Sequence, residues 1–238
     1  MKNKKKILVT GGDGRFSKIL KHENKKLNLI FCSKYELDIL KPSSIEKVIK
    51  KNRPDIIFHC AGLSRPMSIH KKNIAKSIDL NIIGTAQLTK VCKKFNIKLI
   101  YFSSGYVYEG KKGNYSEIDS VKPFNNYGLS KLGGECSVAM YSNSLILRIT
   151  MTERPFTHNQ AYTNLKTNFM YHDELVNILP KLINKYGIIN VGGKIQSVYD
   201  FAKKDKPKIK KIKAINNKEM PLNQTMNINK LKKIMSKK

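Results

Sequence analysis

The chain has 238 residues, 40% of them apolar, which is enough for one large domain with a sizeable core. Its charge is extreme, 46 basic against 17 acidic residues for a net +29, yet the basic residues are almost all lysine and are spread along the whole length. That pattern fits compositional drift as readily as selection for a polyanion; without arginine clusters or a stacking-aromatic module it argues against specific nucleic-acid recognition, leaving non-specific attraction at low salt.

Residues 5–10 read as a short strand followed at once by Gly11-Gly-Asp-Gly14, and an amphipathic helix opens near Arg15 with Phe16, Ile19 and Leu20 on one face. Strand, glycine turn and helix set backbone N–H groups and a helix N-terminus against a pyrophosphate. Gly11 allows the tight turn, Gly14 lets the backbone approach the phosphates, and Ser17 stands where many such loops carry a third glycine. Residues 27–31 read as a second strand, 42–51 as a helix with Pro42 at its start, and 55–60 as a third strand ending at Ala61-Gly62. One long helix is expected over 74–95, a fourth strand over 97–102, a helix over 127–141 and a fifth strand over 144–148. Continuous apolar strands between helices imply a parallel sheet covered on both faces, an α/β fold of the doubly wound Rossmann type. Ligands on such sheets bind beyond the carboxyl ends of the strands, where Gly11–Gly14, Cys60–Gly62 and Ser103-Ser104 all fall.

Tyr127 and Lys131 lie four residues apart and so share one face of their helix. A free tyrosine titrates near 10, too high for acid–base work at neutral pH, and a neighbouring cation lowers that value. A hydroxyl from Ser104 beside the phenol would hold a substrate carbonyl or hydroxyl oxygen. The glycine turn and the alternation of strands and helices give that spacing its meaning, since tyrosine and lysine four apart are common in so lysine-rich a chain.

Together, Thr10-Gly-Gly-Asp-Gly14, Leu37-Asp-Ile39, His59-Cys-Ala-Gly62, Asn81-Ile-Ile-Gly-Thr85, Ser103-Ser-Gly-Tyr-Val-Tyr108 and Pro123-Phe-Asn-Asn-Tyr-Gly-Leu-Ser-Lys131 resemble the extended short-chain dehydrogenase/reductases acting on nucleotide sugars. The likeness is greatest to the dTDP-4-dehydrorhamnose reductase group, which also has a counterpart of Leu132-Gly-Gly-Glu135. It is good over residues 5–148 and patchier beyond, where Val191-Gly-Gly193 and 221–231 are similar to the end of those reductases. The resemblance implies that Tyr127 gives or takes the proton, that Lys131 holds the nicotinamide ribose and lowers the tyrosine pKa, and that Ser104 replaces the family threonine. It further implies a dinucleotide held by Gly11, Asp13, Gly14, Arg15 and Phe16, with Asp38 and Ile39 beside the adenine and Cys60, Ala61 and Gly62 on the path to the nicotinamide. It also implies a nucleotide-sugar substrate, a role in polysaccharide biosynthesis, and a homodimer formed through the 74–95 and 127–141 helices.

Departures narrow the expectation. Gly105-Tyr106 stand where 4,6-dehydratases carry an Asp-Glu pair, and fucose-type epimerase-reductases place a cysteine where this chain has Gly105, so a plain 4-reductase or 4-epimerase remains. Cys32-Ser33-Lys34 replaces the acidic residue that often binds the adenosine ribose, and Lys34 as a 2′-phosphate partner favours NADP over NAD. The family's substrate domain is usually longer, so the chain divides into a dinucleotide-binding domain over 1–150 and a shortened substrate-binding region with a basic tail over 151–238. In that second part 150–168 reads as a polar loop, 171–186 as a helix, 187–191 as a strand and 203–213 as a solvated lysine run. With so small a cap, a non-catalytic dinucleotide-binding regulatory protein is the alternative. Cys32, Cys60, Cys92 and Cys136 lack Cys-x-x-Cys spacing and suit reduced, buried thiols in the cytoplasm, and the five histidines form no ligand-spaced cluster, so no metal is expected. No stretch reads as a signal peptide or a membrane span.

Overall fold

The computed structural model describes residues 4–214 and 221–237. In chain order the elements are β1 (Lys6–Thr10), α1 (Arg15–Glu23), β2 (Asn28–Cys32), α2 (Pro42–Asn52), β3 (Ile56–His59), α3 (Ile69–Lys72), α4 (Ile74–Ile78), a π-helical turn at Asp79–Ile83, and α5 (Gly84–Lys94). Then come β4 (Lys98–Ser104), α6 (Asn126–Ala139), β5 (Ser144–Ile149), β6 (Met151–Thr152), β7 (Gln160–Tyr162), β8 (Lys166–Thr167) and β9 (Met170–Tyr171). The chain continues with α7 (His172–Leu182), β10 (Gly187–Val191), β11 (Gln196–Ser197), α8 (Val198–Ala202), β12 (Lys210–Ile212) and α9 (Asn229–Ser236).

Six strands form the central sheet in the order β10-β5-β4-β3-β1-β2, and every neighbouring pair is parallel. Both faces are covered, which is why the strands are apolar at successive positions. Ile7, Val9, Phe58, Phe102 and Leu147 pack with α1, α7 and α9 on one side, while Leu8, Ile57, Leu99, Tyr101 and Ile146 pack with α2, α5 and α6 on the other. A small third core, built from Phe156, Ala161, Leu165, Tyr171, Val198 and Phe201, holds a cap beside the carboxyl edge of the sheet.

Four expectations need correction. The helix expected over 74–95 is interrupted by the π-helical turn, because the Asn81 side chain is drawn out to Leu63 and Ser130: its Nδ2 donates to the Leu63 carbonyl (2.9 Å) and Ser130 Oγ (2.8 Å), and its Oδ1 accepts from the Leu63 amide (2.7 Å). The strand at Gly187–Val191, expected in the substrate-binding part, is the sixth strand of the central sheet, and α7 packs beside α1. Residues 150–168 are not one loop. They contribute three short strands, and within the lysine run Lys210–Ile212 pairs with Gln160–Tyr162. Finally, Cys136 is exposed and Cys60 only partly buried; all four cysteines are free thiols.

Helix α6 crosses the sheet unusually closely. A Cβ at Gly134 would sit 2.5 Å from Tyr101 Oη and 2.6 Å from the Asn81 carbonyl, so only glycine fits there. The next residue, Glu135, is buried against Arg148 of β5: Nη2 donates to Oε2 at 2.9 Å, Nε lies 3.2 Å from both carboxylate oxygens, and Nη1 donates to Tyr108 Oη at 2.9 Å. Removing one partner of a buried pair strands the other charge. Glu135→Gln is therefore expected to lower unfolding free energy by about 3–5 kcal/mol in urea denaturation, whereas a joint Glu135→Leu/Arg148→Met replacement recovers most of that loss.

Candidate functional site

The glycine turn is built by one obligatory conformation. Gly11 has φ +66°, and a Cβ there would meet Ala61 Cα at 2.7 Å, so the β1–α1 and β3 loops touch backbone to backbone. Behind the contact runs a continuous hydrogen-bond chain. The Ala61 amide donates to Thr10 Oγ1 (3.1 Å), Thr10 Oγ1 and His59 Nδ1 are 3.0 Å apart, and His59 Nε2 and Thr85 Oγ1 are 3.0 Å apart. Thr85 Oγ1 in turn donates to the Asn81 carbonyl (2.8 Å). Since the Thr85 proton is committed to Asn81, His59 must donate from Nε2 and accept at Nδ1, which assigns its tautomer. Burial holds His59 down to about 3, so it stays neutral.

A cavity of about 870 Å³ opens at the carboxyl end of the sheet. Of the candidate residues it is lined by Gly14, Arg15, Phe16, Cys60, Ala61, Gly62, Ser104, Tyr127 and Lys131. Gly11 lies behind the turn. Asp13, Asp38 and Ile39 fall outside the lining: Ile39 is buried beside Gly84, and the Asp38 carboxylate accepts from the Leu40 amide (3.1 Å). A second hollow, about 580 Å³ between β2 and α2, holds no candidate residue.

Asn125 caps α6 by accepting from the Gly128 amide at 2.9 Å, which sets the first turn and points Tyr127 into the cavity. The Tyr127 ring packs between His70 (centroids 5.1 Å apart) and Tyr106 (5.7 Å). Ser104 Oγ accepts from the Tyr106 amide (3.2 Å) and lies near enough to the Tyr127 phenol to lower its pKa. Three groups expected to act together do converge. The electrostatics differ from expectation. Burial raises the Tyr127 pKa, and the opposing influences are Ser104, Arg65 and Arg15 rather than Lys131. The Lys131 ammonium instead lies 4.1 Å over the Tyr101 ring, and desolvation lowers it to about 8 against the pull of Glu135 and Cys60.

Sequence reasoning missed several lining residues. Ser17 Oγ, Ser103 Oγ, Thr150 Oγ1 and His172 Nδ1 are buried with no hydrogen-bond partner, and all four residues line this cavity. Buried polar atoms are normally paired, so their clustering marks a place for a polar ligand. No signal in the sequence distinguishes them from other serines and threonines. Arg65, Glu153, His158, Gln160 and Tyr162 complete the wall on the cap side. Among the described residues no group of three or more His, Cys, Asp or Glu could hold a metal, and no helix is long and apolar enough to cross a membrane.

The parallel sheet with its ligand cavity at the strands' carboxyl ends defines a Rossmann-like α/β protein. Residues 5–166 match the family described as RmlD substrate binding domain, and the chain belongs to that family. It is 32% identical over 143 residues to methionine adenosyltransferase 2 subunit beta of Pongo abelii, covering 56% of this chain and 42% of that protein. To dTDP-4-dehydrorhamnose reductase of Aggregatibacter actinomycetemcomitans it is 26% identical over 166 residues, 68% of this chain and 56% of that protein. The chain thus spans about half the length of these curated relatives. In structure it is similar to dTDP-4-dehydrorhamnose reductase from Bacillus anthracis, crystallised in complex with NADP: TM-score 0.84, 23% identity, 96% of this chain and 91% of that one. The Yersinia enterocolitica reductase gives a TM-score of 0.81 at 24% identity, over 98% of this chain and 93% of that one.

The depressed Lys131 pKa has a stability consequence. The folded state releases that proton near pH 8 and the unfolded chain near 10.5, so the unfolded state binds more protons between these values and stability rises with pH across the window. Below pH 8 the full desolvation penalty stands. Lys131→Met is therefore expected to be more stable than the parent at pH 7, by up to about 3 kcal/mol. Thermal unfolding across pH should show that margin shrinking from pH 8 upward.

Proposed function

We propose that the protein is a cytoplasmic NAD(P)-dependent oxidoreductase of the short-chain dehydrogenase/reductase superfamily. In this reading it reduces the keto group of a nucleotide-linked sugar, as its dTDP-4-dehydrorhamnose reductase relatives' names describe, on a route to surface polysaccharide. The observation that carries the reading is the meeting of Tyr127, Ser104 and Lys131 in one cavity with the glycine turn and four unpartnered buried polar side chains. That wall suits a dinucleotide: Gly14 and the start of α1 present backbone N–H groups to a diphosphate, and the orphaned hydroxyls supply donors and acceptors. Lys34 is exposed just beyond β2, while the nearby Glu36 carboxylate is turned back to accept from the Ser33 amide (2.8 Å); this favours NADP over NAD.

A bound nicotinamide supplies the hydride. The chain's own part is to place and polarise the carbonyl. Ser104, fixed by the Tyr106 amide, donates to the substrate oxygen, and Tyr127 delivers its proton to the same oxygen. Lys131, one turn along, would hold the ribose, while Ser104, Arg65 and Arg15 favour the phenolate left behind. The rings of His70 and Tyr106 keep the phenol from swinging away. His158, Gln160 and Tyr162 face the sugar end, and 4-epimerisation remains open to the same groups. A homodimer through the helices at 74–94 and α6 belongs to this reading, since Ile74 and Ile78 on α4, Ile83 on the π-helical turn and Leu129 on α6 are exposed.

A second reading is favoured by one finding. Relatives that share about a third of aligned residues are named as a subunit of methionine adenosyltransferase, so the chain would serve as a dinucleotide-binding regulatory partner without turnover. Tyr127→Phe separates the two. For a reductase, turnover with a nucleotide sugar falls by roughly 10²–10⁴-fold, while NADPH affinity by calorimetry stays within about threefold. Purified protein that binds NADPH yet changes no nucleotide sugar in a broad panel, with or without the substitution, would sink the reductase reading.

A further inference from the structure

Glu153, just beyond β6, bridges two arginines from the neighbouring loops that follow β1 and β3. Its Oε1 lies 3.2 Å from Arg15 Nη1 at the start of α1, and its Oε2 accepts from Arg65 Nη1 at 2.9 Å in the loop after β3. Arg15 Nη2 also donates to Ser64 Oγ (3.2 Å). All of these residues line the cavity, so a single carboxylate ties the glycine-turn wall and the β3-loop wall to the cap wall. The same wall carries the unpartnered His172 Nδ1 and Ser17 Oγ, both more than nine-tenths buried, with the His172 ring 5.6 Å from Phe16.

Two guanidinium forks around one carboxylate leave an excess positive charge beside the helix N-terminus that faces a diphosphate. Guanidinium forks match the oxygens of phosphate and carboxylate alike. We infer that Glu153 is a built-in competitor for the dinucleotide's diphosphate: it holds Arg15 and Arg65 as a pair, and the diphosphate takes over both guanidiniums and displaces it. The inference rests on the dinucleotide-binding reading above. Charge balance sets the direction. Two negative charges on a diphosphate neutralise two arginines, and a carboxylate left between them would add a third and repel the ligand.

Calorimetric titration of NADPH, ADP-ribose and dTDP into the parent, Glu153→Gln, Arg65→Gln and the double variant tests this. Glu153→Gln should tighten NADPH and ADP-ribose by about three- to tenfold at low salt, with less gain at high salt. Arg65→Gln should weaken both, and in that background Glu153→Gln should recover less than about twofold. If the parent binds NADPH but Glu153→Gln binds it no tighter, or if the full gain persists without Arg65, the competitor role is wrong while the dinucleotide reading stands. A gain seen for dTDP and not for NADPH assigns the arginine pair to the sugar nucleotide instead and overturns the inference. No NADPH binding by the parent removes it together with the reading it rests on.

Discussion

Between α6 and β5 one carboxylate and one guanidinium are buried together, and the cavity end of the molecule is arranged around them. Glu135 and Arg148 are each about 95% shielded, a costly placement that only extensive hydrogen bonding offsets. The guanidinium meets that need by contacting both carboxylate oxygens and the Tyr108 hydroxyl. Tyr108 Oη in turn lies 2.9 Å from both the Ser116 carbonyl and Asn190 Oδ1. One network thereby joins α6, β5, β10 and the loop that follows Ser104. Tyr127, Lys131 and Glu135 recur every four residues along α6, so the anchored end in the core sets where the phenol emerges in the cavity.

The second constraint is the neutral chain through Thr10, His59 and Thr85. It links the ends of β1 and β3 to the π-helical turn, and Asn81 passes the linkage to Ser130 on α6. A histidine that cannot charge in the physiological range behaves here as a fixed spacer with one donor and one acceptor. The ion pair and this chain grip α6 from its two sides, and close approach at Gly134 leaves the helix little room to shift.

Much of this was legible in the sequence, for local reasons. The five strands first expected match β1–β5 to within two residues at each end, because strands buried on both faces must be continuously apolar and the turns between them are marked by glycine or proline. The glycine turn and the Tyr127–Lys131 spacing were readable as motifs. Long-range effects were not. The interruption of the 74–95 helix depends on where the Asn81 side chain finds partners, and the sixth strand is distinguished from a cap strand only by what it pairs with. Lys131 was expected to act on Tyr127, yet its resting place over Tyr101 follows from packing that spacing cannot show. One compositional clue went unread. The chain has only five arginines, at 15, 53, 65, 148 and 154, against dozens of lysines. Four of them make carboxylate contacts: Arg15 and Arg65 with Glu153, Arg148 with Glu135, and Arg154 with Asp173, Glu174 and Asp205. Where lysine is the default cation, arginine marks positions that need a planar fork.

The segment at 221–227 packs beneath the loop that follows Ser104, with Met226 against Gly105. Met226 is wholly enclosed, its amide donates to Asn168 Oδ1 (2.6 Å), and Tyr115 exchanges backbone hydrogen bonds with Thr225 and Asn227. Asn114 and Thr225, 111 positions apart, are also hydrogen-bonded, so the loop after Ser104 owes its shape to contacts of long sequence separation, which form late because loop closure opposes them.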